Sequence, residues 1–207
     1  MTLFGPKTQS SRPITDRVKE SLFSVLYNYD LPSGATVADL FCGVGSLGLE
    51  ALSRGAKFVT FVEKDERILA TLKRNIEKAG FVSQSKVIRA NAFKTGTAHG
   101  FAEEQCTLVF VDPPYAAIQD VQADSPLAGL LNVLGEQVTD DGMVIVRTRR
   151  DVSLLNQYGE FRVADQRQWG TMAVAILTKA EKAESDMPHT ISDTREDDKQ
   201  AGGNKDH

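Results

Sequence analysis

Side chains that bind metal ions or form disulfides are scarce in this sequence. The chain of 207 residues contains two cysteines and three histidines. Cys42 and Cys106 are too few for a disulfide framework and lack the spacing of metal ligands. Each begins or ends an apolar run, so we expect both to be small buried side chains. Since the histidines also form no cluster, we expect no metal site.

Long apolar runs are missing as well. No stretch of the sequence is long enough to cross a bilayer, and the N-terminal residues lack the apolar segment of a signal peptide. A hydrophobic content of 41% is nevertheless enough for a buried core. We therefore expect a cytoplasmic protein that does not bind membranes.

The net charge gives little support for a nucleic-acid partner. The chain has 24 basic and 28 acidic side chains, a net charge of −4, whereas nucleic-acid-binding domains are usually basic. The C-terminal end lowers this average, because it is acidic and almost free of large apolar residues. Such a segment cannot bury enough surface to offset its ordering entropy. We expect a short irregular segment over residues 1–11, one domain over 12–180 and a disordered acidic tail over 181–207.

Hydrophobic periodicity predicts alternating helices and strands. Thr15 caps the first helix, and Gly80 follows the third. Strands are predicted at 36–41, 57–63, 86–89, 108–111 and 143–148, with an antiparallel pair at 161–168 and 172–178. Helices are predicted from the cap to about Tyr29, from the glycine-rich segment to Arg54, over 66–79, over 127–138 and, as a short helix, over 151–157. Alternation of this kind indicates an α/β fold with a parallel sheet and helices on both faces.

The sequence Asp112-Pro113-Pro114-Tyr115 follows the predicted strand 108–111. Open α/β sheets place their chemistry at the carboxyl ends of strands. Asp112 offers carboxylate oxygens to an amino group, the prolines hold the nearby carbonyls stiffly, and Tyr115 offers a flat face for a base. This combination suits a planar ring with an exocyclic amine. Turn chemistry alone explains the same residues as a tight turn with Asp112 as its acceptor.

A glycine-rich motif lies upstream, between a predicted strand and a predicted helix. It has the form Gly43-x-Gly45-x-x-Gly48, and Glu63 ends the next strand. The glycines allow the backbone to approach a ligand, and Glu63 can accept hydrogen bonds from ribose hydroxyls. A tight turn with close helix packing explains the glycines but not Glu63. The sequence therefore favours a ligand site.

Asp39 and Asn91 bear on the kind of ligand. A dinucleotide site holds a pyrophosphate at the helix N-terminus, whereas an acid four residues before the first glycine suits a cationic group. S-adenosylmethionine has an ammonium, a sulfonium and no phosphate. Asp39 fits equally well as a buried turn acceptor. Asn91 follows the third strand and fits equally well as an adenine partner or as an ordinary strand-end residue.

Four segments taken together resemble known enzymes. Residues 39–56 (DLFCGVGSLGLEALSRGA), 61–65 (FVEKD) and 112–115 (DPPY) are similar to the class I methyltransferases. Residues 12–23 (RPITDRVKESLF) resemble the RsmD family, bacterial enzymes that methylate N2 of a guanine in 16S ribosomal RNA. The resemblance extends from Arg12 to about Lys179. The four motifs in this order are specific, whereas any one of them alone is not.

This resemblance implies a fold, a cofactor and a set of partners. The fold is a Rossmann-like class I methyltransferase with a mostly parallel seven-stranded sheet and a C-terminal antiparallel hairpin. The cofactor is S-adenosylmethionine, and no metal is expected. The expected partner is ribosomal RNA or the small ribosomal subunit, and we expect the enzyme to be a monomer. The implied catalytic residues are Asp112, Pro113, Pro114 and Tyr115. The implied cofactor-binding residues are Thr15, Arg17, Asp39, Phe41, Gly43, Gly45, Glu63, Lys64, Asn91 and Ala92.

The same resemblance assigns a part of each ligand to these residues. Asp112 and the Pro113 carbonyl would hold the target amine, and Tyr115 would stack on the base. The methionine end of the cofactor would contact Asp39, Gly43 and Gly45, its ribose Glu63, and its adenine Asn91 and Ala92. Thr15 and Arg17 would close over the cofactor from the first helix.

The sequence departs from the family mainly in features that bear on RNA. The family usually opens with a basic β-hairpin that grips RNA, and this segment is missing or shortened to residues 1–11. Asn91 stands where an acid is common, Cys42 and Val44 replace smaller residues, and the acidic tail is extra. These departures leave the reaction type intact but bear on RNA affinity and the exact target. RNA contacts would fall to basic residues that serve equally well as solvated surface charges: Lys7, Arg12, Lys19, Arg147, Arg149, Arg150 and Arg167.

Other functions fit parts of the pattern. An adenine-N6 DNA methyltransferase uses the same amine socket, but this short chain shows no additional target-recognition domain. A protein-glutamine methyltransferase more often has Asn at the position of Asp112. A non-catalytic cofactor-binding or RNA-binding scaffold would not need Asp112 and Tyr115. A nicotinamide oxidoreductase would differ in the cofactor that it binds.

Overall fold

The computed structural model describes residues 14–97 and 104–180. The segments expected to be irregular (1–11) and disordered (181–207) lie outside these described residues. The helices are α1 (Asp16–Tyr27), α2 (Ser46–Ser53), α3 (Glu66–Ala79), α4 (Ala92–Thr95) and α5 (Pro126–Gly135). The strands are β1 (Thr36–Leu40), β2 (Phe58–Glu63), β3 (Ser85–Arg89), β4 (Cys106–Val111), β5 (Val138–Arg149), β6 (Gln157–Tyr158), β7 (Phe161–Trp169) and β8 (Met172–Lys179).

All eight strands join one sheet in the order β3-β2-β1-β4-β5-β8-β7-β6. The pairs from β3 to β5 are parallel, and the pairs among β5, β8, β7 and β6 are antiparallel. This confirms the mostly parallel α/β sheet and the C-terminal antiparallel hairpin. The sheet has eight strands rather than the expected seven, because Gln157–Tyr158 adds a two-residue edge strand beside β7.

Helices cover both faces of the sheet, as the alternation predicted. One apolar cluster packs α1, α2 and α3 against side chains such as Val37, Phe61 and Phe110. A second packs α5 against the opposite face, including Val109 and Val144. Residues next to each other in a strand point to opposite faces, so β1, β2, β4 and β5 each contribute to both cores. This double burial explains the nearly continuous apolar sequences of β2 and β4.

Several helix ends follow from local capping chemistry. The side chain of Asp65 accepts from the backbone N–H of Arg67 at the start of α3, and Gly80 ends that helix in the left-handed conformation. Ser125 caps α5 through the N–H of Ala128, with Pro126 in the first turn. The boundaries predicted for α3, including Gly80 after its last residue, are confirmed.

Three predicted boundaries are wrong. The first helix ends at Tyr27, and Tyr29, expected on its buried face, is 43% exposed. The reason is a turn over residues 28–30 in which Asp30 adopts a positive φ and redirects the chain. No helix forms over residues 151–157, where a turn and irregular backbone lead into β6. Val152, Leu154 and Leu155 pack against the second apolar cluster from this irregular backbone instead of from a helix.

The third correction concerns the start of β5. The sequence predicted that the preceding helix runs to residue 138 and that Asp141-Gly142 turns into a strand at Met143. Instead, β5 begins at Val138, opposite Cys106, and Met143 lies opposite Leu108. An advance of two residues along β4 therefore corresponds to an advance of five residues along β5. The predicted turn is an irregularity within β5. It sets the register in which the later residues of β5 pair with β4.

The order of strands reverses direction between β1 and β4. The chain runs outward from β1 to β3 and then returns to β4 on the other side of β1. At such a switch point the loops after the two central strands diverge and leave a crevice at their carboxyl ends. The fold therefore brings the segments after Leu40 and Val111 together at one edge of the sheet.

The core under α5 provides a test of this packing. Leu131→Ala is expected to lower the free energy of unfolding by about 2–5 kcal/mol, because Leu131 is fully buried against the sheet and its loss leaves a cavity. Val133→Ala, at a position 37% exposed in the same helix, should change it by less than about 1 kcal/mol. Urea unfolding of both variants measures the difference. Equal losses would contradict the packing of α5 described here.

Candidate active site

Four charged side chains converge on one face of the sheet at the carboxyl ends of its parallel strands. Asp39 lies near the end of β1, Glu63 ends β2, Asp112 follows β4, and Arg147 lies in β5. Each belongs to the alternating set that faces α1, α2 and α3, since Val37, Phe61, Phe110 and Ile145 two residues earlier are in that cluster. Strand register, rather than sequence proximity, brings them together.

The glycine-rich loop after β1 is open toward this edge. Gly43 has a φ of 55° and nothing within 4 Å of the position that a side chain would occupy. Gly45 has a φ of 88°, and a side chain there would lie 2.5 Å from Leu72 Cδ1. Gly43 therefore leaves space in front of the loop, while Gly45 allows the loop to pack against α3. The backbone approach expected from the motif is available at Gly43.

Glu63 is held by backbone groups of two separate segments. Its Oε2 accepts from the N–H of Gly43 at 3.2 Å, and its Oε1 accepts from the N–H groups of Lys64 and Asp65 at 2.8 Å each. The side chain is 9% exposed. These contacts fix the carboxylate between the glycine-rich loop and the start of α3. Its remaining lone pairs can accept from the hydroxyls of a ribose.

A buried asparagine that sequence analysis did not single out supports the same loop. Asn75 lies in α3, is fully buried, and donates from Nδ2 to the carbonyl of Val44 at 3.0 Å. A polar residue on the apolar face of a predicted helix was the available sign, because such a residue requires a partner inside the protein. Asn75 and Glu63 together hold the glycine-rich loop in place.

Asp39 is the most deeply buried acid of the site. Its side chain accepts from the N–H of Gly48 at 2.8 Å, and the residue is 1% exposed. Burial raises the pKa of Asp39 from 3.8 to about 8; the Gly48 hydrogen bond opposes this rise, and the carboxylates of Asp112 and Glu63 add to it. Asp39 is therefore a buried acceptor for a backbone N–H, as the turn-acceptor alternative predicted. A cationic ligand in the crevice would also be attracted to it, so the two roles are compatible.

The Asp112-Pro113-Pro114-Tyr115 segment begins directly after β4. The Pro114 carbonyl accepts from the N–H of Ala117 at 2.8 Å, as the segment enters a short 3-10 turn over Tyr115–Ala117. The Pro113 carbonyl accepts no hydrogen bond from any residue in 14–97 or 104–180. Of the two proline carbonyls, Pro113 is thus the one without a hydrogen bond from a described residue, and its contact with the target amine stays a prediction.

The structure corrects the expected role of Arg147. The sequence grouped it with Arg149 and Arg150 as an RNA contact, but its side chain is only 6% exposed and its Nε donates to Oδ1 of Asp112. The register pairs Phe110 with Ile145, so the next inward-facing residues, Asp112 and Arg147, lie side by side. A charge inside a predicted buried strand was the sign that it needed a partner. Burial raises the pKa of Asp112, and Arg147 opposes that rise.

An aromatic pair lies just beyond the carboxyl ends of β1 and β3. Phe41 has a positive φ of 59°, and its ring centroid lies 4.7 Å from that of Phe93. Asn91 caps α4 by accepting from the N–H of Phe93 at 3.2 Å, while Ala92 is 2% exposed. Asn91 therefore has a structural role at this helix start. Sequence analysis did not single out Phe93, and its pairing with Phe41 had no local signal.

The remaining predicted cofactor residues are peripheral in the described structure. Thr15 caps α1 by accepting from the N–H of Val18 at 3.4 Å, and Arg17 is exposed. The Lys64 side chain is exposed, and only its backbone N–H reaches Glu63. The closure of Thr15 and Arg17 over the cofactor stays a prediction.

The basic residues expected to contact RNA fall into distinct groups. Lys19 is 14% exposed in its side chain and lies 3.2 Å from Glu50, so it joins α1 to α2 rather than facing a partner. Arg149 and Arg167 are more than half exposed and pair with nearby acids, and Arg150 is exposed. Lys7 and Arg12 lie outside the described residues. Lys19 therefore joins Arg147 as a wrong prediction of a surface cation.

A pocket of about 350 Å³ adjoins the Asp112 segment. Tyr115 forms part of its wall together with Gln119, Arg149 and Val152. Tyr115 thus lies between Arg147, whose Cζ is 5.9 Å from the ring centroid, and this open space. A planar ring that entered the pocket would meet an aromatic side chain and an exposed cation.

Both cysteines are buried, as expected, at 8% exposure for Cys42 and 1% for Cys106. Burial raises the pKa of the Cys106 thiol to about 12, so it is not a nucleophile at neutral pH. Across residues 14–97 and 104–180, His, Cys, Asp and Glu side chains form no group of three that could hold a metal ion. Within the same part of the chain, no helix combines the length and apolarity needed to cross a bilayer.

The chain is similar to known proteins over most of its length. The family model described as conserved hypothetical protein 95 matches residues 2–178. Ribosomal RNA small subunit methyltransferase D of Escherichia coli K12 is 30% identical over 189 residues, which cover 87% of this chain and 86% of that protein. The Haemophilus influenzae protein of the same name is 32% identical over 148 residues, 72% of this chain and 73% of its own length.

Solved structures agree with these sequence matches. A hypothetical protein of Thermus thermophilus, TTHA0928, superposes with a TM-score of 0.68 at 28% identity, covering 87% of this chain and 94% of its own. The Escherichia coli methyltransferase yhhF gives a TM-score of 0.67 at 25% identity, covering 87% of this chain and 92% of its own. The residues that the family model matches, 2–178, include the glycine-rich loop and the Asp112 segment. The chain therefore belongs to the conserved hypothetical protein 95 family, the RsmD family of methyltransferases.

Proposed function

We propose that this protein transfers a methyl group from S-adenosylmethionine to the exocyclic N2 amine of a guanine in small-subunit ribosomal RNA. The observation that carries the proposal is the pair of acceptors at the end of β4: the carboxylate of Asp112 and the Pro113 carbonyl, which accepts no hydrogen bond from a described residue. Both belong to the switch point where the glycine-rich loop is open. Two acceptors in such a position suit a group with two N–H donors.

The residues of the crevice fit S-adenosylmethionine. Gly43 leaves room for close approach of a ligand, and Glu63 is held with lone pairs available for a ribose diol. The concentration of acids around Asp39 suits the ammonium and sulfonium groups, and the described part of the site offers no cluster of cations for a pyrophosphate. We assign the adenine to Asn91 and Ala92, as the family resemblance implies, and Phe41 lies near them through its contact with Phe93. When bound, the cofactor supplies an electrophilic methyl group.

The residues after β4 prepare the amine for attack. An aryl amine is a weak nucleophile because its lone pair is delocalised into the ring. Hydrogen bonds from its two N–H groups to Asp112 and to the Pro113 carbonyl favour a tetrahedral nitrogen, which localises the lone pair. Tyr115 stacks on the base and orients it, which contributes about 1–3 kcal/mol of binding. Positioning of this kind supplies about 7–11 kcal/mol in favourable cases.

The choice of RNA as substrate rests on the relatives and on the exposed cations. The Escherichia coli and Haemophilus influenzae relatives are named as small-subunit ribosomal RNA methyltransferases. Arg149 ends β5, the strand that carries Arg147, and Arg150 follows it. Both are exposed, so they can contact phosphates next to a flipped base. N2 of guanine is the finer part of the proposal, since the socket accepts any exocyclic amine.

Product analysis tests the function directly. Methyl transfer from labelled S-adenosylmethionine should be measured on ribosomal RNA, small subunits and DNA, with identification of the methylated nucleoside. We expect N2-methylguanosine in small-subunit RNA. N6-methyladenine in DNA would retain the cofactor but overturn the substrate. Cofactor binding without transfer to any acceptor would favour a scaffold, and binding of a nicotinamide cofactor instead would overturn the reaction class.

Asp112→Ala tests the amine site. We expect methyl transfer to fall by about 100-fold or more, because the amine loses the acceptor that orients it. Cofactor binding should survive, and calorimetric titration with S-adenosylmethionine measures it. The change removes the carboxylate that pairs with buried Arg147, which costs about 3–5 kcal/mol of stability. The assays should therefore be run well below the melting temperature of the variant. Loss of cofactor binding in the folded variant would contradict the role given to Asp112.

Asp39→Asn separates stability from cofactor binding. Because the folded protein holds a proton on Asp39 up to a pKa of about 8, against 3.8 ordinarily, wild-type stability should fall as pH rises from about 4 through 8. Asparagine retains an acceptor for Gly48 and removes this dependence, so the variant should gain thermal stability over wild type as the pH is raised through 8. Thermal unfolding between pH 5 and 9 measures this.

The same substitution should weaken S-adenosylmethionine binding. A cation near Asp39 favours its ionised form, so wild-type affinity should rise with pH up to about 8 and the variant should lack this rise. Calorimetry in buffers of different ionisation enthalpy detects the released proton. Equal affinity and no proton release would restrict Asp39 to its role as a turn acceptor.

A further inference from the structure

Arg147 is a buried cation that contacts the amine socket at two points. Its Nε donates to Oδ1 of Asp112, and its Cζ lies 5.9 Å from the centroid of the Tyr115 ring. Arginine stays charged in proteins, and a charge that is 6% exposed requires a partner of opposite sign. The sequence predicted an RNA contact at this position and no role in the amine site. Its contacts nevertheless join the residue that holds the amine to the residue that stacks on the base.

The ion pair distinguishes the two oxygens of Asp112. Among residues 14–97 and 104–180, the hydrogen-bond donor to this carboxylate is Arg147, and it engages Oδ1. The amine therefore has Oδ2 and the Pro113 carbonyl as its acceptors. A carboxylate that turned about its side-chain torsions would present either oxygen at variable angles. Because Arg147 is anchored in β5, the pair restricts this rotation.

The guanidinium also balances the acids around it. Among the described residues, the ionisable side chains grouped around Asp112 and Arg147 are Asp39 near the end of β1, Cys42 after β1, Glu63 at the end of β2 and Tyr115 after β4. Burial raises the pKa of Asp112, and the guanidinium is the group that lowers it. A protonated carboxyl loses acceptor capacity, so Arg147 favours the form of Asp112 that can hold an amine.

We propose that Arg147 is a positioning residue for methyl transfer. By engaging Oδ1 of Asp112 it directs Oδ2 toward the substrate amine, and it holds the carboxylate in a fixed position relative to the Tyr115 ring. This inference rests on the proposed function, since it concerns the same amine site. The opposite effect is a lock, in which the ion pair occupies Asp112 and must break before the amine binds. The two effects predict changes of opposite sign when the guanidinium is replaced.

Arg147→Lys is the first variant, because it keeps the charge and removes the fixed geometry of the guanidinium. We expect kcat for methyl transfer to fall about 10- to 100-fold, with KM for RNA and the Kd for S-adenosylmethionine unchanged. The acid limb of the kcat–pH profile should stay near that of wild type. A kcat equal to or above that of wild type would overturn the proposal and favour the lock.

Arg147→Met removes the charge as well. Its kcat should fall further, and the acid limb of its pH profile should move to higher pH by about one to three units, because Asp112 loses its cationic neighbour. A merely structural role would lower the amount of folded enzyme without moving this limb. If Arg147→Met does not fold, Arg147→Lys alone decides the sign of the effect.

Arg54→Lys is the matched control. Arg54 also donates through Nε to a carboxylate, Glu50 at 2.8 Å, and its Cζ lies 5.0 Å from the centroid of the Phe23 ring. It lies at the end of α2, away from the carboxyl edge of the sheet. Its replacement should leave kcat and the pH profile unchanged. A loss in Arg54→Lys equal to that in Arg147→Lys would assign both losses to general destabilisation and overturn the positioning role.

Failure of this inference can be distinguished from failure of the proposed function. The nucleoside product of the wild-type enzyme decides the function. The Asp112 carboxyl resonance, assigned by comparison with Asp112→Asn and titrated by carbon NMR in wild type and Arg147→Lys and Arg147→Met, decides the ion pair without any turnover. A higher midpoint of the Asp112 titration in Arg147→Met than in wild type supports the ion pair. The same midpoint in all three proteins would overturn it.

Discussion

The site depends on one electrostatic constraint, which is that several acids are buried together at the carboxyl edge of a parallel sheet. Each acid meets this constraint differently. Glu63 accepts from three backbone N–H groups, Asp112 pairs with Arg147, and Asp39 combines one hydrogen bond with a raised pKa. Replacing Arg147 by an uncharged residue would leave the Asp112 carboxylate without this cationic partner. The arrangement is tolerable in the free protein and suits a ligand that brings positive charge.

The glycine-rich loop is ordered by the same groups. Glu63 holds its start through the N–H of Gly43, Asp39 holds the first turn of α2 through Gly48, and Asn75 holds its middle through the carbonyl of Val44. These contacts come from three different elements of the sheet and the helices that cover it. The loop is therefore formed before a ligand arrives, which lowers the entropy lost on binding. The space in front of Gly43 is left open.

The two sides of the crevice differ in character. The side at β2 and β3 combines Glu63 with the Phe41–Phe93 pair. The other side, at β4 and β5, combines the Asp112 socket with a pocket that Tyr115 and Arg149 line. The switch point between β1 and β4 lies between them, so a donor and an acceptor can meet there without sharing contacts. This separation accords with a transfer reaction between two ligands.

The sequence by itself determined the α/β class, the order of elements and the strand ends that carry Glu63 and Asp112, because periodicity and turn chemistry are local properties. It also identified the family, through motifs that are contiguous in the chain. Only the tertiary structure decided that Arg147 is buried beside Asp112. That contact depends on the register of β4 and β5, and the irregularity over residues 139–142 shifts this register in a way that no local pattern specifies. Asn75 and Phe93 were missed for the same reason, since their partners are set by how distant segments pack.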